Sequence, residues 1–298
     1  MMRLMKDISH TPSPSDTPLA STPADDGRNY LPDIPYTLPK DAQEDQRLNL
    51  QHNLLREAFG GNLFVPVLSP RTILDVGCGT GRWLMEVASE FPDAQLTGVD
   101  LLFPPALQEP GTLPSNCTLT TANVLTGLPF PDASFEVVHQ RLLAFALPEV
   151  TWPGVVAELV RVTRPGGWIE LVESAVAYRQ MGPVTTRHVE WLVETCKQRG
   201  IDCLIASRLD ILLEKAGLSS VNVLRKTIPL GQWGGRLGKM ALANMLAAKQ
   251  TGKKLITTQL GISTEEYDRS VGEWLQECER FHTCMEFFLV SAQRPDTE

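Results

Sequence analysis

A glycine-rich run follows the first buried strand that the sequence predicts, and a carboxylate precedes it. Asp75-Val76-Gly77-Cys78-Gly79-Thr80-Gly81 ends that strand and opens a helix. Glycine lets the backbone turn sharply and approach a ligand closely, and free amides at a helix start favour anions. However, the third glycine comes one residue earlier than in the G-x-G-x-x-G dinucleotide fingerprint, and Arg82 stands where that fingerprint has Gly or Ala. Because Asp75 suits an ammonium group and repels a pyrophosphate, the loop argues against a dinucleotide.

A second carboxylate closes the next predicted strand. Asp100 ends the sequence Gly98-Val99-Asp100 and follows Gly81 by 100 − 81 = 19 residues. An acidic side chain at this position can accept hydrogen bonds from both hydroxyls of a ribose. The glycine run and Asp100 together predict a nucleoside-binding crevice, whereas either alone is equally typical of a tight turn or a helix cap.

The elements that position these residues alternate between short apolar runs and helical patterns from residue 71 onward. This alternation predicts a parallel sheet with crossover helices. Predicted strands cover 72–76, 95–100, 117–123, 135–139, 168–172, 220–228 and 284–293, and predicted helices cover 79–90, 151–162, 184–199, 207–216, 234–250 and 264–280. The expected fold is α/β: a Rossmann-like, seven-stranded, mostly parallel sheet with helices on both faces, an N-terminal helical arm, and a helical insertion between strands six and seven.

Composition divides the chain into three parts. Residues 1–29 are rich in Pro, Ser, Thr and Asp, which predicts a disordered tail because such a segment buries too little apolar surface to offset its ordering entropy. Residues 30–70 form an arm with a helix, which Asp41 caps in a capping-box pattern with Glu44. Residues 71–298 are predicted to form the domain that contains the sheet, and we expect its helical insertion at about 231–280 to roof a pocket.

These motifs resemble a known family. Asp75 to Gly81, Asp100 and the turn Arg164-Pro165-Gly166-Gly167 are similar to the class I S-adenosylmethionine-dependent methyltransferases. Over about residues 30–293 the chain is most similar to the LaeA-like (UMTA) methyltransferases, on the motifs Tyr36-Thr37-Leu38-Pro39, Glu44, Arg47-Leu48, Gln51-His52, Trp152-Pro153, Gly167-Trp168-Ile169-Glu170-Leu171 and Pro229-Leu230-Gly231-Gln232-Trp233.

The resemblance implies S-adenosyl-L-methionine as the cofactor. Asp100 is expected to bind the ribose, and Leu101 to pack on the adenine. Asn123 and Val124 stand where the class usually has an acidic residue near the adenine amine; Asn123 departs from that pattern, although its amide oxygen still accepts a hydrogen bond. The methionine end and the sulfonium are expected to lie against the glycine run and the end of strand four, that is, against Asp75, Gly77, Cys78, Gly79, Gly81, His139 and Gln140.

Methyl transfer from a sulfonium is an in-line displacement in which the enzyme mainly aligns the reacting atoms and excludes water. A general base is needed only when the acceptor must lose a proton early. His139 is the candidate base, because the carboxyl ends of the strands border the crevice in this architecture; alternatively, it only hydrogen-bonds the cofactor or the backbone. Candidate residues of the acceptor pocket, each of which alternatively only packs, are Tyr36, His52, Trp152 and Trp233.

Charge and composition restrict the class of acceptor and the setting. The net charge of −8 and the pI of about 5.3 argue against a general nucleic-acid surface. The chain has no apolar run long enough for a membrane helix, no secretory pattern and no metal-ligand spacing among its cysteines. We therefore expect a cytoplasmic protein without a metal that acts on a small-molecule acceptor, and natural-product (secondary) metabolism is the expected setting.

Three alternatives remain from the sequence. The first is a LaeA-like regulator that binds S-adenosylmethionine or a protein partner with little turnover. The second is a nicotinamide oxidoreductase, against which the early third glycine and Asp75 argue. The third is a nucleic-acid methyltransferase, although His139-Gln140-Arg141 lacks the N-P-P-Y-type sequence of the amino-methylating DNA enzymes.

Overall fold

A seven-stranded sheet lies at the centre of the computed structural model, which describes residues 22–23, 27–30 and 39–296. A separate antiparallel pair joins β1 (Thr22–Pro23) to β2 (Asn29–Tyr30). The strands of the main sheet are β3 (Thr72–Val76), β4 (Gln95–Asp100), β5 (Cys117–Thr121), β6 (Phe135–Arg141), β7 (Thr163–Arg179), β8 (Ser219–Pro229) and β9 (Cys284–Gln293). Their order is β5-β4-β3-β6-β7-β9-β8. β9 runs antiparallel to both of its neighbours, β7 and β8, whereas the other pairs of adjacent strands are parallel. This confirms the mostly parallel Rossmann-like sheet.

Helices cover both faces and the carboxyl edge of the sheet. They are α1 (Ala42–Phe59), α2 (Arg82–Glu90), α3 (Trp152–Val162), α4 (Pro183–Gln198), α5 (Leu209–Lys215), α6 (Gly235–Leu260) and α7 (Thr264–Phe281). The predicted cap of α1 is confirmed, because the Asp41 carboxylate accepts a hydrogen bond from the Glu44 amide at 3.0 Å. At the other end of α1, Gly60 takes the left-handed conformation that commonly terminates a helix.

Two apolar layers hold the sheet between its helices. Consecutive strand residues point to opposite faces. Ile73 therefore packs with Trp83 of α2 on one face, whereas Leu74 packs with Leu159 of α3 on the other. This alternation decides which strand-end side chains face which helices.

The predicted insertion between the last two strands is confirmed and consists of α6 and α7. Leu54 of α1, Ala241 of α6 and Trp274 of α7 are buried together in one apolar cluster. The arm and the insertion therefore pack against each other beyond the carboxyl edge of the sheet. In the described part of the chain, no helix has both the length and the apolar composition required to cross a bilayer.

Several boundaries differ from those predicted. The helix predicted from residue 79 begins at Arg82, because Gly81 takes a left-handed conformation just before it. β7 continues past residue 172 to Arg179, because β9 pairs with it as far as Arg179. α6 continues past residue 250 until Gly261, the left-handed residue that ends it. Most of the predicted disordered tail lies outside the described residues.

Candidate active site

A cavity of about 310 Å³ opens at the carboxyl ends of β3, β4, β5 and β6. Its floor consists of the segments that follow these strands, 76–80, 99–101, 122–125 and 141–143. Its walls come from α1, α4, α6 and α7. One continuous space therefore joins the predicted nucleoside crevice to the helical insertion.

The glycine run forms one side of the crevice. Gly77, Gly79 and Gly81 have φ angles of 72°, 55° and 68°, a region that side-chain-bearing residues rarely adopt. A Cβ atom at Gly77 would lie 2.8 Å from Leu143 Cδ2. The amides of Gly77 and Cys78 both donate to the Val99 carbonyl, at 2.7 and 2.9 Å, and so join the loop to β4. The turn is therefore held in one shape, which only glycine at position 77 permits.

Asp100 is fixed at the entrance to this crevice. Its Oδ2 accepts a hydrogen bond from the Gly79 amide at 2.8 Å, and its Oδ1 accepts one from the Leu101 amide at 2.8 Å. The Lys40 ammonium lies 3.0 Å from Oδ1. The carboxylate is therefore oriented before any ligand binds. The predicted site residues that line the cavity together with Asp100 are His52, Gly77, Cys78, Gly79, Leu101, Asn123 and Val124.

His139 and Asp75 do not line this cavity. Asp75, His139 and Glu170 are register neighbours across β3, β6 and β7, so their side chains lie on the same face of the sheet, toward α2. His139 Nδ1 lies 2.9 Å from Asp75 Oδ1, and the imidazole stacks on Trp83 with ring centroids 3.8 Å apart. The prediction that His139 is the general base, and that Asp75 and His139 contact the cofactor, is corrected: strand alternation turns both away from the crevice.

Burial disfavours the charged forms of His139 and Glu170. It lowers the pKa of His139, which opposes the charged imidazolium despite the bond to Asp75. Burial also raises the pKa of Glu170 to about 8. His139 Nε2 lies 4.0 Å from Glu170 Oε1. The three side chains therefore form a buried polar row beneath the crevice that supports the ends of the strands.

Four other predicted residues also lie away from the cavity. Gln140 is buried on the sheet face opposite His139, and Gly81 lies directly before α2, against Leu107. Trp152 is buried at the start of α3, and Trp233 stacks on His282 with centroids 4.8 Å apart. The prediction that Trp152 and Trp233 shape the acceptor pocket is thus corrected, because both pack elsewhere. Tyr36 lies outside the described residues.

Two cations that the sequence did not single out line the crevice. Arg141 follows His139 by two residues and shares its sheet face, but it lies at the very end of β6 and reaches the cavity. Its Nη2 lies 3.0 Å from His52 Nδ1, and burial lowers the pKa of His52 to about 4, so His52 is neutral and accepts this bond. Arg47 of α1 pairs with Glu44 at 2.6 Å. The sequence signal for Arg141 is its place at the carboxyl end of β6, the edge that borders the crevice. Arg47 had no signal beyond the resemblance.

The other end of the cavity is lined by aromatic rings and by the amine of Lys249. His188 and Trp191 of α4 have ring centroids 5.1 Å apart. Lys249 Nζ of α6 lies 2.5 Å from His188 Nδ1 and 4.4 Å from the centroid of Trp274. These residues belong to no motif. The signal that could have found Lys249 is a charged residue within the apolar stripe formed by Met245, Ala248, Gly252 and Ile256 of α6, which also lines the cavity.

Comparison with known proteins agrees with this geometry. A family model described as a methyltransferase domain matches residues 73–167. N-methyltransferase verN of Clonostachys rogersoniana is 28% identical over 275 residues, covering 88% of this chain and 93% of the relative. Methyltransferase str3 of Strobilurus tenacellus is 31% identical over 202 residues, covering 66% of this chain and 71% of the relative. The secondary metabolism regulator laeA of Aspergillus fumisynnematus is 33% identical over 141 residues, covering 46% of this chain and 36% of the regulator.

Solved structures share the fold at low sequence identity. The YcgJ protein of Bacillus subtilis superposes with a TM-score of 0.51 at 19% identity, covering 83% of this chain and 100% of that one. Phosphoethanolamine N-methyltransferase 2 of Haemonchus contortus, in complex with S-adenosyl-L-methionine, superposes with a TM-score of 0.50 at 18% identity. The match covers 85% of this chain and 53% of that one.

The sheet order, the glycine run and the positioned Asp100 define a class I methyltransferase. The chain belongs to the S-adenosylmethionine-dependent methyltransferase family, together with the fungal methyltransferases named above, and S-adenosylmethionine is its cofactor. It is therefore an enzyme of methyl transfer.

Proposed function

We propose that this enzyme methylates a small, largely apolar molecule that binds at the aromatic end of the cavity. The observation that carries the proposal is the continuity of that cavity: residues of the nucleoside crevice, such as Asp100, and residues of the insertion, such as Lys249, line one space. Donor and acceptor bound at its two ends would meet inside it, shielded from water by the surrounding helices.

The residues of the crevice fit the cofactor. Asp100, already oriented by the amides of Gly79 and Leu101, offers carboxylate oxygens to the two ribose hydroxyls. Leu101 supplies an apolar surface for the adenine, and Asn123, two residues past the end of β5, lines the same cavity. Arg47 and Arg141 supply positive charge, which suits the carboxylate of the methionine end. We assign these residues to cofactor binding.

When bound, S-adenosylmethionine supplies a methyl group activated by the adjacent sulfonium. The chain's own residues then bind, orient and exclude water. Leu48, Gln51 and His52 of α1 lie over the crevice, and α4, α6 and α7 enclose the acceptor end. This helical enclosure favours a small molecule over a nucleic acid or a folded protein as the acceptor. Nitrogen is a plausible target atom to test first, because several relatives are named N-methyltransferases.

The expectation of a cytoplasmic location remains a prediction from the sequence, and a protein partner remains part of the regulator alternative. A role in secondary metabolism is likewise part of this proposal, and its support is the similarity to fungal methyltransferases and to the regulator laeA.

A product-forming assay tests the proposal. The full chain is incubated with S-adenosylmethionine carrying a deuterated methyl group and with a panel of planar amines, indoles and phenols, and products are read by mass spectrometry. We expect a deuterated methyl product from at least one probe with the wild type and a much lower yield with Asp100→Ala. Cofactor binding without any product would instead favour the regulator-like alternative.

A further inference from the structure

A hydrogen-bonded pair of basic side chains lies inside the acceptor end of the cavity. Lys249 Nζ is 2.5 Å from His188 Nδ1, and His188 Nε2 is 2.7 Å from Ser270 Oγ. Lys249 and His188 both line the cavity. The lysine is thereby held at a fixed position by α4 and α7 rather than extended into solvent.

The surroundings of Lys249 disfavour its charged form. Among the described residues no carboxylate pairs with Lys249, and its Nζ lies 4.4 Å from the centroid of the apolar Trp274 ring. Charged and titratable groups face Lys249 or its helix from every neighbouring element. They include His188 and Arg187 on α4, Tyr267, Cys278 and Asp268 on α7, Tyr178 on β7, and Glu57 and the Glu44–Arg47 pair on α1. Burial lowers the pKa of Lys249 to about 7, so a large fraction is the neutral amine near neutral pH.

His188 holds this amine without competing for its proton. Burial, with Lys249 and Arg187 nearby, lowers the pKa of His188 to about 3, so the imidazole stays neutral. Its Nε2–H then donates to Ser270 and its Nδ1 accepts from Lys249. Any proton that arrives at this pair is therefore carried by Lys249.

We propose that Lys249 is the general base of the acceptor pocket, that His188 is the residue that positions it, and that the acceptor is a planar aromatic molecule with an ionisable O–H or N–H. This inference rests on the proposed function and specifies its acceptor site. It supplies the base that His139, turned away from the cavity, cannot supply.

The class of acceptor follows from the rings beside the amine. The ring planes of Trp191, Tyr267 and Trp274 are within 24° of that of His188. All four residues line the cavity. An aromatic acceptor suits this aromatic lining, whereas a flexible charged acceptor would gain little there.

The proton balance of the step is simple. The acceptor's O–H or N–H bond breaks, and its proton moves to Lys249 Nζ. The electron pair left on the acceptor forms the bond to the methyl carbon. The electron pair of the broken carbon–sulfur bond stays on the sulfur. The resulting ammonium lies against Trp274, whose ring face stabilises a cation. Loss of that proton to solvent restores the base.

Binding of 4-nitrophenol to the enzyme saturated with S-adenosylhomocysteine tests the proposal. The titration is done at about pH 8, above the pKa of Lys249, where the free probe is mainly phenolate and an unperturbed lysine, with a pKa of about 10.4, is still charged. Absorbance reports whether the bound probe is phenolate or phenol. Calorimetry in buffers of different ionisation enthalpy counts the protons taken up. The variants are Lys249→Met and Lys249→Arg, with Lys239→Met, an exposed lysine of α6, as the matched control.

For the wild type and for Lys239→Met we expect bound phenolate together with the uptake of nearly one proton. Lys249→Arg, which already carries its charge, should bind phenolate without uptake. Lys249→Met should bind phenol, with the bound phenolate reduced about tenfold or more, as expected for a shift of one pKa unit or more. Circular dichroism checks that each variant is folded.

Phenolate binding to the wild type without proton uptake would overturn the proposal, because Lys249 would then be a permanently charged anion site. Absence of probe binding, or phenolate retained in Lys249→Met, would overturn it as well. Binding of S-adenosylhomocysteine, measured on the same samples, separates this failure from failure of the proposed function: if the cofactor product binds and the probe results are negative, only the base assignment fails.

Discussion

His139 and Asp75 lie on neighbouring strands and bond to each other, 2.9 Å apart, on the sheet face that turns away from the cavity. Each is at most 2% exposed. A histidine at the end of a strand in this fold is the natural candidate for a catalytic base, but its nitrogen is here engaged with a buried carboxylate. The pair therefore joins the ends of β3 and β6, and we expect it to contribute to stability rather than to proton transfer.

Replacing His139 should reduce stability. His139→Leu leaves the Asp75 carboxylate buried without its donor, and a hydrogen bond to a charged group contributes about 1.5 to 3 kcal/mol. We expect the free energy of unfolding in urea to fall by about this amount. A double-mutant cycle with Asp75→Asn is the control, and it should show strong coupling. A stable His139→Leu protein whose methyl-transfer rate alone collapses would instead support the base role.

Two glycines of the run offer a matched comparison. Gly77→Ala and Gly79→Ala both place a side chain at positive φ, which costs about 1 to 2 kcal/mol. A Cβ at Gly77 also meets Leu143 Cδ2 at 2.8 Å, whereas at Gly79 its nearest neighbour is Leu48 Cδ1 at 3.8 Å. Gly77→Ala should therefore be the more damaging of the two, by about 1 to 3 kcal/mol of added overpacking. Thermal unfolding of both variants checks this order, and equal losses would contradict it.

Glu173 should make stability depend on pH. It is buried, its Oε1 accepts a hydrogen bond from the Leu143 amide at 2.7 Å, and burial raises its pKa from 4.5 to about 8. Between these two values the folded state binds more protons than the unfolded state. Its contribution to stability is therefore complete below about pH 4.5 and is lost as the pH rises through about 8, with a slope of up to about 1.4 kcal/mol per pH unit.

The check is a comparison of denaturation curves over this pH range. Glu173→Gln keeps an acceptor for the Leu143 amide but cannot ionise. The free energy of unfolding of the variant should therefore rise relative to that of the wild type as the pH rises. The exposed Glu190→Gln on α4 should show no such trend. A difference in the free energy of unfolding between wild type and Glu173→Gln that stays constant across the range would show that Glu173 ionises in the folded state as it does in the unfolded chain.

Local sequence patterns predicted the elements well, because strand and helix periodicity and capping are local. β3, β4 and β9 have the predicted bounds, and the Asp41 cap is present. The glycine run and Asp100 were found for the same reason: one loop and one strand end place them together. The prediction of the site failed in deciding which face of the sheet a strand-end side chain occupies. Alternation along β6 allows only one face for His139, but only the packed structure shows that this face is covered by Trp83.

The acceptor end could not be predicted, because distant segments form it. Lys249 meets His188 across 61 residues and Trp274 across 25. No spacing along the chain links α4, α6 and α7, and tryptophans are more often core residues than ligand contacts. Trp152 and Trp233 were chosen by residue type and both pack elsewhere, whereas Trp191 lines the cavity.

The most direct test of the central claim is a calorimetric titration with S-adenosylmethionine and S-adenosylhomocysteine. The titration compares the wild type with Asp100→Ala. The control is Asp93→Ala, which makes the same change in charge at an exposed position. We expect the wild type and Asp93→Ala to bind both ligands alike and Asp100→Ala to bind them about 1.5 to 3 kcal/mol more weakly, as for the loss of hydrogen bonds to a charged group. No binding to the wild type, or equal binding to Asp100→Ala, would contradict the assignment of this crevice to the cofactor.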